Sequence, residues 1–123
     1  MKIINPKTNK LKDYRLPKMF KNKWIKALKS GKYKQGEDYL LCNYNSKEEY
    51  CCLGVACAIV KINKSILYDR ELPQDLQNND SKALPSLLRG LDDISQTIND
   101  KLSRLNDKGK SFNYIASYIK RYL

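Results

Sequence analysis

Residues 51–60, CCLGVACAIV, contain no charged side chain and nothing more polar than a thiol. In a chain of 123 residues of which 30% are charged, an uninterrupted apolar run must be enclosed by everything else. The run is too long for one typical strand, and a segment apolar on every side fits a helix buried all round. LGVACAIV is therefore expected as a buried central helix. A chain of this length buries roughly two thirds of the surface that its unfolded form exposes, so its core needs no metal or disulfide staple.

The elements around that helix follow from period and punctuation. In LPKMFKNKWIKALKSG, Phe20, Trp24 and Leu28 recur at i, i+4, i+8, Pro17 suits a first turn and Gly31 a C-terminal stop, which predicts a helix. Trp24 beside Phe20 and Leu28 reads as core. Tyr39–Tyr44 and Glu49–Cys52 read as two strands of a small antiparallel hairpin, joined by an NSKE turn. SILYDRELP is a second hairpin or a loop, and helical turns are expected at PQDLQ and near Pro85–Leu88. Ile94, Ile98, Leu102 and Leu105 predict a helix stopped near Gly109. Ser111 caps a last helix that docks through Phe112, Ile115, Ala116, Ile119 and Tyr122. The expected fold is α+β: a single, mainly helical domain over residues 16–123, with a small antiparallel hairpin packed on the buried central helix. Residues 1–15 show no period and read as a basic, extended N-terminal arm.

Charge is distributed unevenly. The net charge is +11, and residues 1–36 hold eleven lysines and Arg15 against one acid, Asp13, while the other 87 residues balance. Charge concentrated in one third of a chain attracts anions, whether nucleic acid, nucleotide or an acidic protein face. The competing account is a lysine-rich composition with solvated side chains, which would have spread lysine more evenly. No apolar run approaches the ~18 residues of a membrane span, and the N-terminus lacks a secretory signal pattern. A cytoplasmic protein with reduced thiols is expected.

Chemistry-bearing constellations are scarce. The cysteines, Cys42, Cys51, Cys52 and Cys57, are spaced C-x8-C-C-x4-C in a chain without histidine, which is not the paired spacing of structural zinc. They read as small buried hydrophobes, the remaining alternative being a reactive Cys51 or Cys52 activated at a helix start. Asp92, Asp93, Asp100 and Asp107 form no recognised carboxylate arrangement, and no phosphate-binding glycine loop is present. No catalytic residue, metal or cofactor is expected, and the chain reads as a binder.

Two loops are the candidate sites. In Ser30-Gly-Lys-Tyr-Lys-Gln-Gly36, Lys32 and Lys34 offer ammonium donors, Tyr33 a stacking face, Gln35 an amide to read a base edge, and Gly36 close backbone approach; Lys29 and Ser30 precede them on the helix end. In the second loop, Asn106, Lys108 and Ser111 either order a turn and cap the last helix or present donors to an anion. Tyr14, Tyr33, Tyr39, Tyr44 and Tyr50 lie in the basic half, the mixture that single strands and free nucleotides both use.

Three segments, W24-I-K-A-L-K-S-G-K-Y-K-Q-G36, Y50-C-C-L-G-V55 and L105-N-D-K-G-K-S-F-N-Y-I-A116, resemble in order and spacing a family of small proteins that recurs in tailed-phage genomes. The likeness covers about residues 24–60 and 105–119 and leaves the middle unmatched; the lysine load of residues 1–34 departs from it. It implies a viral accessory protein in the host bacterial cytosol and brings no enzymatic activity with it. The leading expectation is a counter-defence protein, a homo-oligomer sequestering a small anionic, nucleotide-type immune signal. One alternative is a nucleic-acid-binding protein using the basic N-terminal third. Another is an inhibitor docking a host defence protein, although mimics of nucleic acid are acidic and this chain is basic.

Overall fold

A computed structural model describes residues 1–123. The chain opens with a hairpin of β1 (Lys2–Asn5) and β2 (Lys10–Asp13), followed by helix α1 (Lys18–Lys29). Strands β3 (Leu41–Tyr44) and β4 (Lys47–Tyr50) form a second antiparallel pair, and α2 (Cys52–Ile59) follows. Three single-turn helices, α3 (Lys64–Leu67), α4 (Asn78–Ser81) and α5 (Ser86–Arg89), with a 3-10 turn at Pro73–Asp75, lead to the long helices α6 (Asp93–Asp107) and α7 (Phe112–Tyr122).

Helix α2 is the centre. Every residue from Cys52 to Cys57 is buried, and α1 and α6 both pack on it, with α7 laid along α1. Trp24 is fully buried, and its indole N–H donates to the Cys52 carbonyl at 3.0 Å, tying α1 to the first residue of α2. Gly54 lets the backbone of Leu40 cross α2 at a distance that no side chain would permit. The β3–β4 turn is closed by Asn45 and Ser46, both at positive φ, the two-residue geometry that matches strand twist.

The arm expected over residues 1–15 is instead the β1–β2 hairpin, with Lys2 opposite Asp13 and Asn5 opposite Lys10. Both faces of β2 are exposed, so the hairpin has no apolar alternation to betray it. It is fastened at its base, where Leu16 N–H donates to the Leu123 carbonyl at 2.8 Å and Arg15 to the Arg121 carbonyl at 3.0 Å. The segment read as a second hairpin or loop, SILYDRELP, begins as the α3 turn, with Asn63 capping Ser65 N–H at 3.0 Å. Its only sheet-like contact is a parallel bridge between Leu41 and Tyr68.

Candidate anion-binding site

The 30–36 loop divides its side chains between the interior and the surface. Gln35 turns inward: Nε2 donates to Asn106 Oδ1 at 3.0 Å and to the Lys110 carbonyl at 2.7 Å, while Oε1 accepts from Phe112 N–H at 3.0 Å. Asn106 is buried and equally engaged. Its Oδ1 also accepts from Cys52 N–H at 3.1 Å, and its Nδ2 donates to the Gly36 carbonyl at 2.7 Å. The two residues meet, but as a clamp joining the loop, the start of α2 and the α6–α7 turn. Both amides are consumed, so the reading of Gln35 and Asn106 as ligand donors gives way to a structural one.

The other loop residues follow the same division. Ser30 Oγ donates to the Ala27 carbonyl at 2.7 Å and accepts from Lys32 N–H at 3.1 Å. Ser111 Oγ accepts from Tyr114 N–H at 3.1 Å as the α7 cap, and Lys108 is the exposed cap residue of α6. Gly36 is buried, and a Cβ there would stand 2.6 Å from that of Glu49.

Lys32, Tyr33 and Lys34 remain outside and line a groove of about 410 Å³. Its floor is Tyr50, Ala58, Ile62 and Leu67, and Tyr33 stands edge-on to Tyr50 with ring centroids 5.1 Å apart. Much of its positive charge is already answered. Lys34 pairs with Glu49 at 3.4 Å and Lys64 with Glu48 at 3.0 Å. The Lys64 ammonium, with help from the Tyr68 hydroxyl, holds the Glu48 carboxyl below its usual range, so that groove carries a fixed negative charge as well.

A second groove, of about 580 Å³, lies between α1 and the end of α7. Arg15, Lys18, Lys21, Lys26, Lys29 and Lys120 line it above Leu16, Ile25 and Leu123, and no Asp or Glu side chain borders it. The four ion pairs of the molecule include Arg15, held at 2.9 Å by Asp13, and none of the five lysines. Lys18 and Lys29 stand at the two ends of α1, about 16 Å apart along the axis at the rise of an α-helix. Five ammonium groups on one concave surface with no acidic side chain among its lining residues repel one another and lower that repulsion by taking up an anion. Carboxylates collect elsewhere, with Asp38, Glu71 and Asp107 lining one separate hollow.

Of the two candidate loops only Lys29 belongs to this groove, whereas Arg15, Lys18, Lys21 and Lys26 come from the basic N-terminal third. Lys120 lies 91 positions beyond Lys29 in the chain, and only the packing of α7 on α1 brings it there. The lysines of α1 were legible as charge, not as one wall of a cleft.

Three of the four thiols are buried. Cys51 caps α2, its sulfur accepting from Gly54 N–H at 3.4 Å. Burial nevertheless pushes its thiol up to about 12, and raises Cys52 and Cys57 well above the ordinary value. Desolvation outweighs the helix start, which favours the reading of these cysteines as buried hydrophobes over the alternative of an activated Cys51 or Cys52. No three Cys, Asp or Glu side chains converge as a metal would require. Alkylation of the folded protein is expected to label at most the half-buried Cys42, and denaturation to expose all four thiols. Intact-mass analysis reads this directly, and two or more labels on the folded chain would contradict the burial.

A family model described as a domain of unknown function (DUF8296) matches residues 16–85, which is 70 of the 123 positions and takes in α1, the 30–36 loop and α2. No curated protein and no solved structure matches the chain.

Proposed function

We propose that this chain, which belongs to the DUF8296 family of domains, is a non-catalytic binder of phosphate-bearing anions, with nucleic acid as its principal ligand. The observation that carries this is the α1–α7 groove, where five unpaired lysines and Arg15 face one another with no acidic side chain between them. Lysine is a point charge with three donors, suited to phosphate oxygens in any sequence context. A concave basic channel fits the rod of a backbone better than the plane of a membrane. The likeness of three segments to small tailed-phage proteins supports a setting in which such a protein acts on the host by occupancy, consistent with the counter-defence expectation.

The test is anisotropy of labelled oligonucleotides with the full chain across a salt series. If the five lysines each neutralise one phosphate, the slope of log K against log salt is about −4. The triple variant Lys18→Gln, Lys26→Gln, Lys29→Gln should flatten it by two to three. Salt-independent binding, or preference for anionic vesicles or an acidic peptide over every oligonucleotide, would refute the reading.

A second reading has its own observation. The groove beside Tyr33 combines an aromatic, partly apolar floor with Lys32, Lys34 and Lys64 at its rim, and its size falls in the range of small-molecule pockets. It suits a single nucleotide-type ligand. A thermal-shift series with mononucleotides and cyclic dinucleotides, repeated on Tyr33→Ala, separates it from the first: stabilisation lost in that variant supports it, and no stabilisation by any of them removes it.

A further inference from the structure

The outward side of α7 carries three tyrosines at i, i+4, i+8: Tyr114, Tyr118 and Tyr122. Tyr122, expected in the core, is 39% exposed, and Tyr114 is 48% exposed. Tyr118 and Tyr122 form a tilted pair with centroids 4.7 Å apart, too close for a ring to enter between them. Tyr114 stands apart from that pair, and a hollow of about 200 Å³ opens among the three, with Ser117 and Arg121 completing its lining. Cations flank it: Lys110 Nζ lies 4.8 Å from the Tyr114 ring centroid and the Arg121 guanidinium 5.3 Å from that of Tyr122.

We infer that this hollow seats one unpaired base of a nucleic-acid strand whose backbone occupies the α1–α7 groove, so that the protein prefers single strands to duplexes. Resting on the phosphate-binding reading, the inference adds a base site to it. Aromatic faces take any base by stacking, and neighbouring cations hold the phosphates on either side. The two surfaces lie on either side of the last turns of α7, with Lys120 lining one and Arg121 the other. Arg15, which lines the lysine groove, donates to the carbonyl of Arg121, which lines the hollow. A base inside a duplex is paired and stacked at about 3.4 Å from its neighbours along the strand, and it cannot reach a slot between side chains without being pulled out. An acidic protein segment would satisfy the lysines but would leave the aromatic hollow without a planar occupant.

The experiment compares a labelled single-stranded oligothymidylate, an oligouridylate of the same length, and a duplex of that length with the intact protein. Single strands should bind at least tenfold more tightly than the duplex. Tyr114→Ala with Tyr122→Ala should weaken single-strand binding about tenfold, leave duplex binding unchanged and leave the salt slope unchanged; Tyr114→Trp should restore affinity. Equal binding of the three and no effect of the alanine variants would overturn the base site while the lysine dependence still upheld phosphate binding. Absence of binding to all three would overturn both. Because both tyrosines are exposed, far-ultraviolet circular dichroism of the variants should match the parent.

Discussion

Gly54→Ala is expected to destabilise the protein severely. Propensity alone predicts the reverse, since alanine in a helix interior is better than glycine by about 1 kcal/mol. Gly54, however, sits in α2 under the crossing backbone of Leu40, and a Cβ there would lie 1.7 Å from the Leu40 carbonyl oxygen and 2.6 Å from its carbonyl carbon. The obstacle is backbone, not the end of a flexible side chain, and Leu40 is itself held by its N–H to the Arg70 carbonyl at 2.7 Å. To relieve the contact, β3 would have to lift from α2 and uncover Leu40 and Leu41, both fully buried. Overpacking of side chains costs about 1–3 kcal/mol; a clash with fixed main chain exceeds that, and about 4 kcal/mol or more is the expected loss. Against a typical domain stability of about 5–15 kcal/mol, the variant should be poorly soluble or melt far below the parent. A thermal melt by circular dichroism decides it, and an unchanged midpoint would show that the crossing of Leu40 over Gly54 has room for a methyl group.

The same crossing explains which parts of the molecule could be read in advance. Helices α1, α2, α6 and α7 announce themselves because each buries a stripe or a whole circumference: Trp24 and Leu28, Cys52–Cys57, Ile98 and Leu102, Ile115 and Ile119 are all in the core. The β3–β4 hairpin was visible in its turn. Between Asn63 and Gly90 the elements are three or four residues long, below the length at which helix formation is cooperative. They are held from outside. Asn99 Nδ2 donates to Gln74 Oε1 and to the Leu88 carbonyl, each at 2.9 Å, and Ser95 Oγ donates to the Leu87 carbonyl at 2.8 Å. Their polar partners are 8 to 25 residues away along the chain, where no local period reaches. The β1–β2 hairpin escaped for the opposite reason, having almost no buried face. The candidate site failed to show itself in the same way: charge is legible along a sequence, but the cleft exists only where α7 brings Lys120 beside α1.

Replacement of Asn106 distinguishes a clamp from a ligand group, because the two roles move different measurements. Asn106→Leu keeps the approximate volume and removes every hydrogen bond. Gln35 Nε2 keeps its bond to the Lys110 carbonyl, but Cys52 N–H loses the acceptor that Asn106 gives it, and the Gly36 carbonyl loses its amide donor. Each stranded group in a buried setting costs about 1–3 kcal/mol, so the variant should lose about 3–5 kcal/mol and its melting midpoint should fall by many degrees. Asn106→Asp separates the partners further. It keeps the acceptor for Cys52 N–H but sets an oxygen against the Gly36 carbonyl and buries a charge next to Asp107. Burial and those oxygens raise such a carboxyl above its unfolded value, so the folded state favours its protonated form. Stability is then retained at pH below the unfolded value and lost as pH rises through the folded one, so this variant should be rescued by acid whereas Asn106→Leu should not. Oligonucleotide affinity per folded molecule should be unchanged in both, since neither α1 nor the tyrosines of α7 lose a contact to Asn106. A variant with parental stability and weakened anion binding would return Asn106 to the ligand site that its position in the sequence first suggested.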